Sequence, residues 1–107
     1  MTEIEQTQKL SVLHCVYQLI ASAEGNIHEE RDYKSIKFAL TELGFNSIHF
    51  WDAAIKLNPH DCFYYISTFE ENNKKKFKNM LLKISEMEGN IKLRLLCANH
   101  ISQLCKI

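Results

Sequence analysis

Four cysteines, five histidines and a set of acids around two glycines are the residues here whose types could do chemistry. Cys97 and His100 are three residues apart and would project together from one helix, as metal ligands do. Cys105 lies eight residues beyond Cys97, about 12 Å along a helix axis, too far to share the same ion. His60 and Cys62 offer a His-x-Cys pair, a spacing that structural zinc sites do not favour. His14 and Cys15 are neighbours, so on a helix their side chains diverge by about 100°, poor geometry for an imidazole to activate a thiol. No Cys-x-x-Cys pair, nucleophile elbow, phosphate-cradling glycine loop or metalloprotease helix motif occurs. The expectation is therefore reduced, buried thiols and surface imidazoles, with no catalytic residue and no cofactor.

The acids are better organised. Glu24-Gly25-Asn26-Ile27 recurs as Glu88-Gly89-Asn90-Ile91, an offset of 89 − 25 = 64 residues. Each copy follows one apolar helical segment and precedes another. Gly25 and Gly89 suit the left-handed backbone conformation that commonly ends a helix, and Ile27 and Ile91 are expected to fold back and plug the two hairpins. An EF-hand loop does not fit. With Gly25 at its sixth position, Ile20 and Arg31 fall where acids are required.

The remaining candidates are surface features. Lys74-Lys75-Lys76 with Lys78 follows Glu70 and Glu71 and reads as a solvated face, the alternative being a patch for an acidic partner. Phe63, Tyr64 and Tyr65 are consecutive and fan around a short helix, so they cannot all be buried. Together with Trp51 they form the candidate protein interface, and leftover aromatic surface leaves a homodimer open. Thirteen basic residues balance thirteen acidic ones, so there is no general attraction for nucleic acid, and none is expected as a partner.

These side chains must be carried by helices. Leu10, Leu13, Tyr17 and Ile20, with Val12, Val16, Leu19 and Ala23, form two adjacent stripes on a first helix running from residue 2 or 4 to 23. The second is expected over 29–43, capped by Asn26 or His28, with Tyr33, Ile36, Ala39, Leu40 and Leu43 inward and Gly44 closing it. The third, 46–57, buries Ile48, Phe50 or Trp51, and Ile55. Asn58-Pro59-His60-Asp61 is a strong start for a fourth, carrying Phe63, Ile66 and Phe69. Asn72 and Asn73 would break it and open a fifth, with Phe77, Met80, Leu81, Ile84 and Met87 in register. The sixth, 92–106, turns Cys97, Ala98, Ile101, Leu104 and Cys105 inward. No alternating segment bounded by hairpin turns suggests a strand.

The paired turns resemble the TerB-like family, the tellurite-resistance and DjlA-type co-chaperone helical domains. That family's signature is Ala-x-Ala-Asp-Gly-x-Ile-x-x-x-Glu, twice, around shorter helices. Here the copies read Ala21-Ser22-Ala23-Glu24-Gly25-Asn26-Ile27-His28-Glu29-Glu30-Arg31 and Ser85-Glu86-Met87-Glu88-Gly89-Asn90-Ile91-Lys92-Leu93-Arg94-Leu95. Leu43-Gly44-Phe45 is similar to the family's closing of the second helix, and the resemblance spans residues 10–107. It implies a domain with two pseudo-repeated helix–turn–helix units, acting in a stress-response or co-chaperone-like context. The family's acids are thought to gather around a divalent cation, which needs several convergent oxygens, and the resemblance makes Glu24, Glu29 and Glu30 the candidate ligands in the first copy. The closing acid is replaced by Arg31 and by Leu95, so the resemblance implies a site that has been lost.

The expected fold is thus one all-α domain over residues 1–107, a bundle of about six helices. The expected function is non-enzymatic contact with a protein partner in the cytoplasm, the alternative being a cation-binding module. Residues 10–20 followed by Ala21-Ser22-Ala23 look superficially like a secretory signal. However, Glu3 and Glu5 precede the apolar run, and His14 and Gln18 interrupt it. No apolar stretch approaches the roughly 18 residues of a membrane span.

Overall fold

The computed structural model describes residues 3–107, and describes side chains from residue 6 onward, that of Glu29 excepted. The described residues form six helices: α1 (Glu3–Glu24), α2 (Glu29–Glu42), α3 (His49–Ile55), α4 (Pro59–Ser67), α5 (Glu71–Ser85) and α6 (Ile91–Leu104). The fold is all-α, with no strand among the described residues.

Helix α1 is the axis of the bundle. The two apolar stripes read from its sequence wrap so far around it that Ser11 through Cys15 and Val16 are consecutively buried. Only a helix enclosed on every side buries consecutive residues in this way. It packs against α6, α3 and α4, with α2 and α5 completing the enclosure, and α5 lies along α6. Its polar residue at the centre is accommodated by hydrogen bonding. His14 is 1% exposed, its Nδ1 donates to the carbonyl of Ala54 at 2.8 Å, and its Nε2 accepts from Gln18. Burial lowers its pKa, outweighing the Ala54 bond that raises it, so the ring is held as the neutral Nδ1–H tautomer.

The punctuation at Asn58-Pro59 works as expected, since Asn58 Oδ1 accepts from the backbone N–H of Asp61 and Pro59 opens α4. Elsewhere the boundaries move. Asn72 and Asn73 lie inside α5 rather than breaking a helix, because the chain has already turned at Thr68 and Glu70 takes the extended cap position. Helix α3 begins only at His49, leaving Ile48 outside it and 54% exposed. Tyr33 is also exposed: Ile36 and Ala39 are buried and Leu40 and Leu43 pack against the core as expected, but the buried face of α2 extends to Asp32 and Ser35 instead of Tyr33. Leu104 ends α6 facing solvent, while Cys105 behind it is buried.

Both glycine turns have left-handed backbone, φ +84° at Gly25 and +71° at Gly89, but they feed their next helices differently. α2 begins four residues after its glycine and α6 only two after. Ile27 therefore lies in the extended link and packs against the core. Ile91 becomes the first residue of α6 and stands 48% exposed. The expectation that Ile91 plugs its hairpin is corrected on that ground.

Candidate functional site

The largest fully buried side chain in the protein is charged: Arg94, 0% exposed. It lies on α6 in the inward phase shared with Ala98, Ile101 and Cys105, so the helix has no choice but to drive it into the bundle. Its Nε donates to Glu24 Oε1 at 2.9 Å and its Nη2 to Asp32 Oδ1 at 2.8 Å. Its Nη1 donates to Ser35 Oγ at 2.8 Å and reaches the carbonyl of Ile84 at 3.4 Å.

The acids around it are tied to both turns. Asp32, also fully buried, accepts the backbone N–H of His28 on Oδ2 at 2.8 Å, which supplies the start of α2 with the cap that the His28 side chain does not give. Arg31 adds two bonds to the same carboxylate from the solvent side. Glu24, last residue of α1, crosses to the other turn, where its Oε1 accepts the backbone N–H of Asn90 at 2.6 Å. Reciprocally, Glu88 of the second turn accepts from the backbone N–H of Ser35 on α2 at 3.3 Å. The second turn is thus held by an acid from the first, and an acid of the second turn reaches helix α2. No buried side-chain nitrogen or oxygen among the described residues lacks a hydrogen-bond partner.

Electrostatics follow the geometry. Burial pushes the Asp32 carboxyl up, but Arg31, the His28 N–H and Arg94 outweigh it and hold the group below its ordinary range. Burial likewise raises Glu24, and the Asn90 N–H with Arg94 and Arg31 reverses the shift. Both acids are carboxylates at neutral pH, and Arg31 is raised chiefly by its bond to Asp32.

Of the ligands expected for a divalent ion, only Glu24 joins this cluster. Its Oε1 is already engaged by two donors, Glu30 is exposed, and the Glu29 side chain lies outside the described residues. Among the described residues no group of three His, Cys, Asp or Glu side chains is placed to hold a metal. Glu24 and Asp32 are engaged by the Arg94 guanidinium. Asp32 and Arg94 were missed in the sequence, although both could be found there as charges of opposite sign in core phase.

The aromatic candidates separate. Tyr64 is 73% exposed, whereas Phe63 and Tyr65 are half-buried, edge-on to His60 and Phe69. Trp51 is 6% exposed and sits edge-on to Tyr17 of α1, so it is core and not available as an interface anchor.

The cysteines are all free. Cys15, Cys62 and Cys105 are buried where α1, α4 and α6 meet, and Cys97 is partly accessible. Burial pushes the Cys15 thiol far up, helped by its hydrogen bond with Cys105, and burial also raises Cys62 and Cys97. Thiolate, the reactive form, is scarce at all three. Counting maleimide adducts by mass spectrometry at neutral pH should give slow addition at Cys97 alone in the folded chain and four adducts after unfolding. Rapid native labelling of Cys15 would reopen thiol chemistry.

In comparison with known proteins, no family model, no curated protein and no solved structure matches this chain. No helix among the described residues is long and apolar enough to cross a membrane.

Proposed function

We propose that the chain is a small non-enzymatic helical module of TerB-like kind that works by protein–protein contact in the cytoplasm, in a stress-response or co-chaperone-like setting. The two Glu-Gly-Asn-Ile turns, each with a left-handed glycine between two helices, support a duplicated helix–turn–helix ancestry. The exposed Ile91 is a departure from it.

The observation that carries the reading is the Arg94 guanidinium between Asp32 and Glu24. The reading is supported by an internal cation that already engages Glu24, the first copy's remaining family acid, together with Asp32. The surface left over includes apolar side chains standing in water: Tyr64 at 73%, Leu96 at 59% and Tyr33 at 59% exposed. Exposed apolar groups at this level mark contact surfaces when they cluster.

Two measurements test this. Calorimetric titration with calcium or magnesium should show no binding tighter than millimolar. Such binding, abolished by Glu30→Ala, would replace this reading with the cation module built on Glu24, Glu29 and Glu30. In-cell photocrosslinking from positions 64, 80 and 96 should give discrete heavier species from at least one. Silence at all three would sink the interaction reading.

A further inference from the structure

Helices α1, α2 and α5 do not close against one another along their full length. Between them runs an open groove of about 760 Å³. Its floor is apolar, with Phe38, Phe77 and Met80 facing it, and its rim is cationic, with Lys9 from α1 and Lys76 and Lys83 from α5. Glu42 is the one carboxylate among the described lining residues. None of the three lysines is in an ion pair among the described residues. Lys83 Nζ instead lies 5.0 Å from the centroid of the Phe38 ring. Helix α5 carries five lysines against Glu71 alone, and that acid is already paired with Lys74.

We infer that this groove binds an acidic amphipathic helix of a partner protein. The assignment rests on the interaction-module reading and names the partner's chemistry. Three features choose that occupant. The groove is open to solvent, whereas a small-molecule site encloses most of its ligand. Apolar floor and charged rim match the way an amphipathic helix lays its i, i+3/i+4, i+7 anchors into a groove. Lys76 and Lys83 are seven residues apart on α5, two turns or about 10.5 Å, so carboxylates at i and i+7 on a helix aligned with α5 meet both. A lipid surface suits the site less well, because the aromatic floor is recessed behind its lysines and a bilayer presents no ridge to fill it.

The test is fluorescence anisotropy of a labelled, stapled helix with Leu at i, i+4 and i+7 flanked by Glu, against a twin carrying Lys in place of Glu. The native chain should bind the acidic helix at least tenfold more tightly than its twin, and added salt should weaken that binding. The double variant Lys76→Glu/Lys83→Glu alters exposed residues only, and its fold is checked by circular dichroism. It should lose the acidic helix and gain the basic one. Equal affinity for the two helices, no saturable binding, an unchanged double variant, or binding only to phosphatidylglycerol vesicles would each overturn the groove assignment. Crosslinks from position 64 or 96 would in that event still uphold the interaction module.

Discussion

Arg94→Leu is expected to destabilise the fold by about 3 kcal/mol or more, the range seen when one partner of a buried ion pair is removed. Leucine fills much of the arginine stem's space and keeps the helix propensity of α6, so the loss is not one of packing or backbone. It comes from Asp32, which is fully buried and keeps only Arg31, whose side chain is 32% exposed, as its cationic partner. Glu24 at the same time loses the donor to its Oε1 from α6, and Ser35 loses its bond to Nη1. The effect should appear as a fall in midpoint temperature of roughly 10 °C or more for a domain of this size. Trp51, buried against α1, is a natural fluorescence reporter. Arg31→Leu serves as the control and should cost clearly less than Arg94→Leu, because water takes over part of its role. Equal losses in the two variants would mean that burial of the guanidinium contributes nothing particular.

The same cluster sets the acid limb of stability. Asp32 and Glu24 have carboxyls held below their ordinary values of 3.8 and 4.5. A group whose folded pKa is depressed contributes stability above its unfolded value, and that contribution is lost as pH falls through the folded one. The native chain should therefore weaken below about pH 4.5. Arg94→Leu should weaken less over that interval, since its acids have less to lose on protonation. Pairing Arg94→Leu with Asp32→Asn removes both charges, and should recover part of the single variant's loss.

How far this arrangement can be read from the sequence is decided by phase. The helices and their glycine stops are legible because they rest on local chemistry: Asn58 before Pro59, apolar stripes at 3.6-residue spacing, Gly25 and Gly89 after apolar runs. Helix α2 shows where such reading slips. Of the expected stripe Tyr33, Ile36, Ala39, Leu40 and Leu43, all but Tyr33 pack in or against the core. Hydrophobicity would extend that face to Tyr33, yet the fold extends it to Asp32 and Ser35. What tips the choice is not on α2 at all. It is Arg94, sixty-two residues away, which needs a carboxylate and a hydroxyl in the core. A buried ion pair spread over two helices is invisible to any window shorter than their separation, though each half shows as a charge in an inward phase. Trp51 misled for the opposite reason: its type marks interface anchors, but its place on α3 against α1 makes it core. Ile91 misled because it was placed just ahead of a helix starting at residue 92, whereas it is itself the first residue of α6.

The two turn glycines should respond very differently to alanine, although their local sequences are the same. Both have positive φ, which L-residues adopt at a cost of about 1–2 kcal/mol. A Cβ on Gly25 would meet nothing within 4 Å, so Gly25→Ala should lose that amount and no more. A Cβ on Gly89 would fall on Glu24 Oε1, and within 2.8 Å of Arg94 Nε and Nη2. Ends of long side chains usually swing aside at little cost, but these two are pinned. Glu24 Oε1 receives two bonds, and the guanidinium has no exposure through which to move. Displacing the carboxylate breaks charge-assisted bonds that contribute about 1.5–3 kcal/mol each. Gly89→Ala should accordingly exceed Gly25→Ala by about 2 kcal/mol or more in urea denaturation. In a Glu24→Ala background the obstacle at Oε1 is gone, and the excess should shrink to what the contact with Arg94 leaves. Persistence of the full excess there would place the crowding on Arg94 alone, whereas equal costs in the native background would show that the clasp between the turns yields freely.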